Sequence, residues 1–223
     1  MFDYLIYMIQ NDLKRDYISI LIIRADIEKN GYAYLQAAKN KDLIECFRQL
    51  KNAFIPYSQL FGLLKCFSKY TIGDSNLSNK MRELRKKLDF VNHLRNKCSG
   101  HLDNDVLDKA LQWEPSLFKK EHVVSEAHIY LVYKTLLESA INSYCDENGV
   151  QKYFHEEIDL FYPPNWKTFT NFMAESQTTS LDFLDQIKKI ILLKMKLIET
   201  DEDLFLQAAI AAKTDFRLQK KKK

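Results

Sequence analysis

The chain has 223 residues, 46% of them hydrophobic and 13% aromatic, with only 5 Gly and 4 Pro. That length supports one sizeable core, or one domain with an appended segment; the apolar content excludes a disordered chain, and the scarcity of turn residues excludes a many-stranded sheet protein. The net charge is +3, but Lys220 to Lys223 supply four positive charges, so the rest of the chain carries about −1 and has no global nucleic-acid footprint.

A first helix is expected over about residues 3–29, where Leu5, Ile6, Ile9, Leu13, Tyr17, Ile20, Leu21 and Ile27 fall near helical spacing. Asn30-Gly31 marks a stop, with room for another turn or two across Tyr32 to Lys39. A second helix is expected from about Asp42 to Tyr70, kinked or split by Pro56. Thr71 to Ser78, which holds Gly73, Asp74, Ser75 and Asn76, reads as a loop. In the third helix Leu77, Met81, Leu84, Leu88 and Val91 repeat at steps of four, three, four and three, an apolar stripe suited to a bundle core. Ser99-Gly100 breaks this helix, and Gly100 is expected to take a backbone conformation that other residues resist.

Asp103 or Asn104 then caps a short helix carrying Val106, Leu107, Ala110 and Leu111, which Trp113-Glu114-Pro115 ends. A helix from about Ser125 to Tyr144 places Tyr130, Tyr133 and Tyr144 at helical spacing, better suited to a core or a subunit interface than to base stacking. Val150 to Trp166, with Pro163-Pro164, reads as irregular. Another helix is expected to start near Ser180, with Leu184, Ile187, Ile191, Met195 and Ile198. A last one follows Thr200, where Thr200 and Asp203 have the spacing of a capping box. The fold class expected is therefore all-α: an antiparallel helical bundle over residues 1–148, and a C-terminal helical segment over 149–223 that either packs on the same core or stands apart.

Charge is local. Lys80, Arg82, Arg85, Lys86, Lys87, Arg95 and Lys97 face only Glu83 and Asp89 between residues 80 and 97. Lys80, Arg82, Arg85, Lys86 and Lys97 are the candidate RNA contacts; a solvated helix face is the plainer reading of the same run. Cys46, Cys66, Cys98 and Cys145 are widely spaced with no C-x-x-C pair, which fits reduced thiols. The Met1-Phe2-Asp3 start lacks a basic n-region, and the apolar run Ile190 to Leu193 is hemmed by lysines and far too short to span a bilayer. A cytoplasmic protein with no membrane partner is expected.

The most specific chemical signal is Leu94-Arg95-Asn96-Lys97-Cys98-Ser99-Gly100-His101, where the third helix runs out. An Arg-Asn pair followed by His at four to six residues from the Arg arises by chance roughly 0.03 times in a chain of this composition. Arg95 continues the apolar stripe four residues past Val91, and an unpartnered guanidinium on a buried face is costly. It needs a partner or a purpose. His93 points to another helix face and reads as structural, and Cys98 as a small filler. Cys98, His93, His101 and Asp103 match no common zinc spacing, so neither metal nor cofactor is expected.

These positions resemble the HEPN superfamily, helical bundles marked by Arg, a following polar residue and a His four to six residues after the Arg. Arg95, Asn96 and His101 occupy those three positions, and the resemblance covers roughly residues 1–148 at the level of helix pattern. It implies a metal-independent endoribonuclease of phage defence or toxin–antitoxin systems, acting as a homodimer on RNA, with an antitoxin or defence-system protein as a further partner. Members that have lost the motif are binding or scaffold modules, so a non-catalytic helical module that binds RNA or a protein is the alternative. In HEPN toxins controlled by nucleotidyltransferase antitoxins, a Tyr two residues after the His is modified. Asp103 stands there in this chain, so the resemblance implies no such modification at that position.

The chemistry also follows from the residues. Histidine titrates near working pH and suits removal of the 2′-hydroxyl proton of RNA, which leads to a 2′,3′-cyclic phosphate and a free 5′-hydroxyl. Arg95 would hold the phosphate oxygens as negative charge builds, and Asn96 would orient the imidazole or the phosphate. One imidazole does not easily serve as both base and acid in a turnover. Two copies of the motif across a symmetric dimer supply both.

Overall fold

The computed structural model describes residues 2–100, 102–125, 127–215 and 217, with the backbone alone for 2–6, 206 and 207. It is all-α: α1 Phe2–Lys39, α2 Leu43–Phe67, α3 Ser75–Leu94, α4 Asn104–Trp113, a short α5 Lys120–Val123, α6 His128–Asn142, α7 Pro163–Lys194 and α8 Asp201–Ala211. A π turn, Arg95–Ser99, extends α3. Among the described residues no helix is long and apolar enough to cross a membrane.

Cross-helix pairs fix the directions of the four long helices. Gln10 meets the end of α7 at Lys194 and Lys196, while Arg24 pairs with Asp185 and the Ile27 carbonyl accepts from Gln177, so α1 and α7 run antiparallel. Lys80 with Asp182 and Lys87 with Glu175 make α3 antiparallel to α7. Ser58 Oγ donates to Asn92, and Arg85 lies over the Phe61 ring, which sets α2 against α3 in the same sense. Three residues join α1 to α2, a connection that makes them antiparallel neighbours. The result is a four-helix ring of α1, α2, α3 and α7. α4 packs on α6, which closes one end of the ring against α2, α3 and the π turn.

The stripe on α3 explains its place. Leu77, Leu84, Leu88 and Val91 are all buried, and Met81 packs at the edge of the same core. Each fully buried Leu or Val contributes about 1.5–3 kcal/mol relative to exposure. Phe169, Phe172, Phe183, Leu184, Ile187 and Ile191 of α7 enter that core beside Ile20 and Ile27 of α1. Phe90 gathers Tyr144, Tyr153, Phe154 and Phe172 around it, which pins the irregular segment after α6 to the bundle. Tyr130 and Tyr133 also lie partly buried against the core, and the described side chains of α8 are exposed.

α1 runs past Asn30-Gly31 through the further turns allowed by Tyr32 to Lys39, and at Gly31 α7 passes so closely that Gln177 fills the space a side chain would need. Three local expectations are corrected. α2 is not split at Pro56, which lies buried inside one continuous helix. The loop after residue 71 ends at Asp74, whose carboxylate caps α3 by accepting from the Leu77 N–H at 2.9 Å. Pro163-Pro164 opens α7 rather than continuing a loop, since proline in the first helical turn removes no hydrogen bond that the helix would make.

Candidate functional site

Arg95 begins the π turn in which the Gly100 N–H donates to the Arg95 carbonyl at 2.7 Å. Single π turns inserted in α-helices occur frequently at functional sites. Gly100 has φ −75°, an ordinary right-handed conformation, so the expectation of an unusual backbone there is corrected. What glycine supplies is space: a Cβ at residue 100 would lie 2.8 Å from an Arg95 guanidinium nitrogen. The guanidinium folds over this gap and donates to Asn96 Oδ1 at 3.1 Å.

Arg95 is half-buried and meets no carboxylate among the described residues. The other half-buried arginine, Arg24, has both Asp185 and Glu28. His101 lies outside the described residues. Its flanks are tied together, because Lys97 Nζ meets Asp103 Oδ2 at 2.7 Å. Asp103 also caps α4 by accepting from the Val106 N–H, and its charge-assisted bond to Lys97 holds the Asp103 carboxyl below its usual range.

The expected RNA contacts are mostly occupied. Lys80 pairs with Asp182, Lys86 with Glu83 and Lys97 with Asp103, while Arg82 donates to Asn79 and Arg85 lies over Phe61. Lys80 reaches to α7 and Arg85 to α2, while Arg82 and Lys86 pair within α3; of the five only Lys97 shares the π turn with Arg95 and Asn96. The Lys220 to Lys223 tail lies outside the described residues. Cys98 is buried and donates to the Leu94 carbonyl, and burial pushes its thiol up to about 11, so it is a poor ligand or nucleophile.

His93 faces the end of α6, with Nε2 3.2 Å from the Ala140 carbonyl and 2.9 Å from Ser143 Oγ. Burial lowers its pKa below the ordinary 6.5. The unfolded chain therefore takes up a proton first, and His93 contributes stability above about pH 6.5 that is lost as pH falls through its lower folded value. His93→Gln keeps an N–H donor but does not titrate. Denaturant melts between pH 7 and 5 should show a steeper loss for the native chain than for His93→Gln; superimposable profiles would contradict this.

Sequence reasoning missed the neighbourhood of α6. Lys134 and Glu138 form a 3.0 Å ion pair with side chains 3% and 0% exposed. Glu138 also accepts from the Trp113 indole N–H at 2.9 Å and from the Leu160 N–H at 2.6 Å. Burial raises the Glu138 pKa against the lowering pull of Lys134 and these donors. At i, i+4 the pair reads in sequence like an ordinary exposed helix pair, and nothing local marks it as buried. Beside it, between α4 and α6, lies a cavity of about 510 Å³ whose wall includes Lys97, Trp113 and Ser139. No protein-family model, curated protein or solved structure matches the chain.

Proposed function

We propose that the chain is a HEPN-like, metal-independent endoribonuclease that cleaves RNA by attack of the 2′-hydroxyl on the adjacent phosphate. The observation that carries this reading is Arg95: a half-buried guanidinium at a helix end, with no carboxylate among the described residues, above a gap that Gly100 keeps clear. A cation shielded in this way suits charge that appears only in the transition state, because fixed donors act most strongly where water is scarce. His101, six residues on, supplies the proton transfer, and Asn96 steadies the guanidinium. The base and acid come from two copies of His101 in a homodimer. In this reading the protein acts in the cytoplasm, in phage defence or as a toxin, and an antitoxin or defence-system protein holds it in check.

Purified protein incubated with RNA in EDTA should cleave it, and His101→Ala should lower the rate by about 10²–10⁴-fold, the usual size of a general acid–base contribution. Cleavage that EDTA stops, or that His101→Ala leaves unchanged, would remove the reading. A second variant probes the gap. Gly100→Ala is expected to displace the Arg95 guanidinium and slow cleavage about tenfold, because angstrom-scale misplacement of a catalytic group is costly. Its melting temperature should stay level or rise, since alanine fits the right-handed backbone and restricts the unfolded chain. Unchanged cleavage by this variant would detach the gap from the chemistry.

A non-catalytic module that binds RNA or a partner protein is the second reading. The pairing of Lys80, Lys86 and Lys97 with carboxylates favours its protein-binding form, because those lysines have less charge to offer a phosphate backbone.

A further inference from the structure

The geometry points to the cavity between α4 and α6 as a nucleobase pocket, which takes one unstacked base of the RNA strand next to the scissile phosphate. As a substrate subsite it rests on the nuclease reading above. At about 510 Å³ it lies within the range of about 300–1,000 Å³ usual for small-molecule sites. Its charged lining is balanced, with Lys97 and Lys109 against Asp105 and Glu157, which suits a neutral group better than an anion. Val106 and the Trp113 indole give it apolar walls.

Two details support this assignment. Ser139 lines the cavity, is 5% exposed, and its Oγ has no hydrogen-bond partner among the described residues. Buried hydroxyls are normally satisfied, so an unpaired one sealed just behind a cavity wall is a donor–acceptor left for the edge of a ligand that enters. The second detail is Trp113, 40% exposed at the wall, with its indole N–H fixed on Glu138. Glu138 is in turn held by Lys134, so a buried ion pair with no role in the proposed reaction anchors a partly exposed ring. A fixed ring is a ready stacking surface for a flat heterocycle, and any base can use it. A nucleobase has both features the site asks for, apolar faces and a hydrogen-bonding edge. Lys97 joins the pocket to the proposed catalytic end, since it lines the cavity and sits on the same π turn as Arg95.

The test uses the full chain carrying Trp166→Phe, so that Trp113 is the one tryptophan, and Arg95→Ala, so that RNA is not consumed. A hexaribonucleotide should quench Trp113 fluorescence saturably, and the same hexamer made abasic should bind at least tenfold more weakly, the range of base–aromatic stacking. Ser139→Leu, which replaces the hydroxyl by a bulkier apolar chain at the cavity wall, should weaken binding at least tenfold. Ser139→Ala, which leaves the packing intact, should weaken it about three- to tenfold, as loss of one neutral hydrogen bond would. Equal binding of the abasic hexamer, or unchanged affinity in both Ser139 variants with native circular dichroism, overturns the pocket. Free adenosine or uridine binding as tightly as the hexamer also overturns it, because the site would then serve a free nucleoside. Cleavage by the native chain is scored separately. Base-dependent quenching without cleavage keeps the pocket and removes the nuclease; cleavage with base-independent binding does the reverse.

Discussion

Lys134→Met is expected to destabilise the fold by about 3–5 kcal/mol, the usual effect of leaving one member of a buried ion pair without its partner. For a chain of this size that corresponds to a fall in melting temperature of about 6–20 °C. The reason is positional. Glu138 is fully buried, and without Lys134 its carboxylate keeps only the Trp113 and Leu160 N–H donors. Lys134 also lies 3.7 Å from the centre of the Phe161 ring, so its loss loosens the segment leading into α7. The double variant Lys134→Met/Glu138→Leu should recover most of the loss, since apolar replacement of a buried pair is often neutral or stabilising.

The pH dependence has a definite sign. Burial already raises the folded pKa of Glu138, and removing Lys134 raises it further. A carboxyl whose folded pKa exceeds its unfolded value favours folding when protonated, and that contribution fades as pH climbs through the folded pKa. Lys134→Met should therefore lose more stability, relative to the native chain, at pH 8 than at pH 5. Equal losses at both values, or a double variant no more stable than the single one, would contradict this account of the pair.

Arg95 carries the second large effect. Arg95→Ala is expected to reduce RNA cleavage by about 10²–10³-fold, as removal of a single oxyanion donor does elsewhere. Arg95→Lys should recover little, because a point-like ammonium cannot reproduce a planar, bidentate fork held over Gly100. Neither change should cost much stability, since the guanidinium's one side-chain partner among the described residues is its neighbour Asn96. Sedimentation of the active fraction should show a dimer. A strictly monomeric preparation cutting at full rate would leave Arg95 in place but end the two-subunit arrangement.

Helices whose hydrophobic pattern is uninterrupted were legible in the sequence. The stripe from Leu77 to Val91 gave α3 its buried face, the Thr200 spacing gave the start of α8, and of the two candidate caps of α4 it is Asp103 whose side chain accepts the backbone N–H. The first half of α7 was obscured for two physical reasons. Its prolines look like loop residues unless the helix is known to begin there, and buried Asn165, Ser176 and Ser180 interrupt the apolar period. Ser176 solves its burial locally, by donating to the Phe172 carbonyl one turn back, which sequence patterning cannot register. The Arg95-Asn96-His101 spacing was visible, but the π turn that presents Arg95 was not. A glycine after a helix suggests a left-handed cap, whereas Gly100 is right-handed and answers a side chain five residues earlier. The cavity, the unpaired hydroxyl of Ser139 and the burial of the Lys134–Glu138 pair arise from what packs on α6, which no single stretch of chain encodes.

The most direct measurement is end-group analysis of RNA incubated in EDTA with the native chain and, side by side, with Arg95→Ala. The account predicts fragments bearing 2′,3′-cyclic phosphate and 5′-hydroxyl ends from the native chain and almost none from the variant. Fragments with 3′-hydroxyl and 5′-phosphate ends, or equal yields from both proteins, would contradict it.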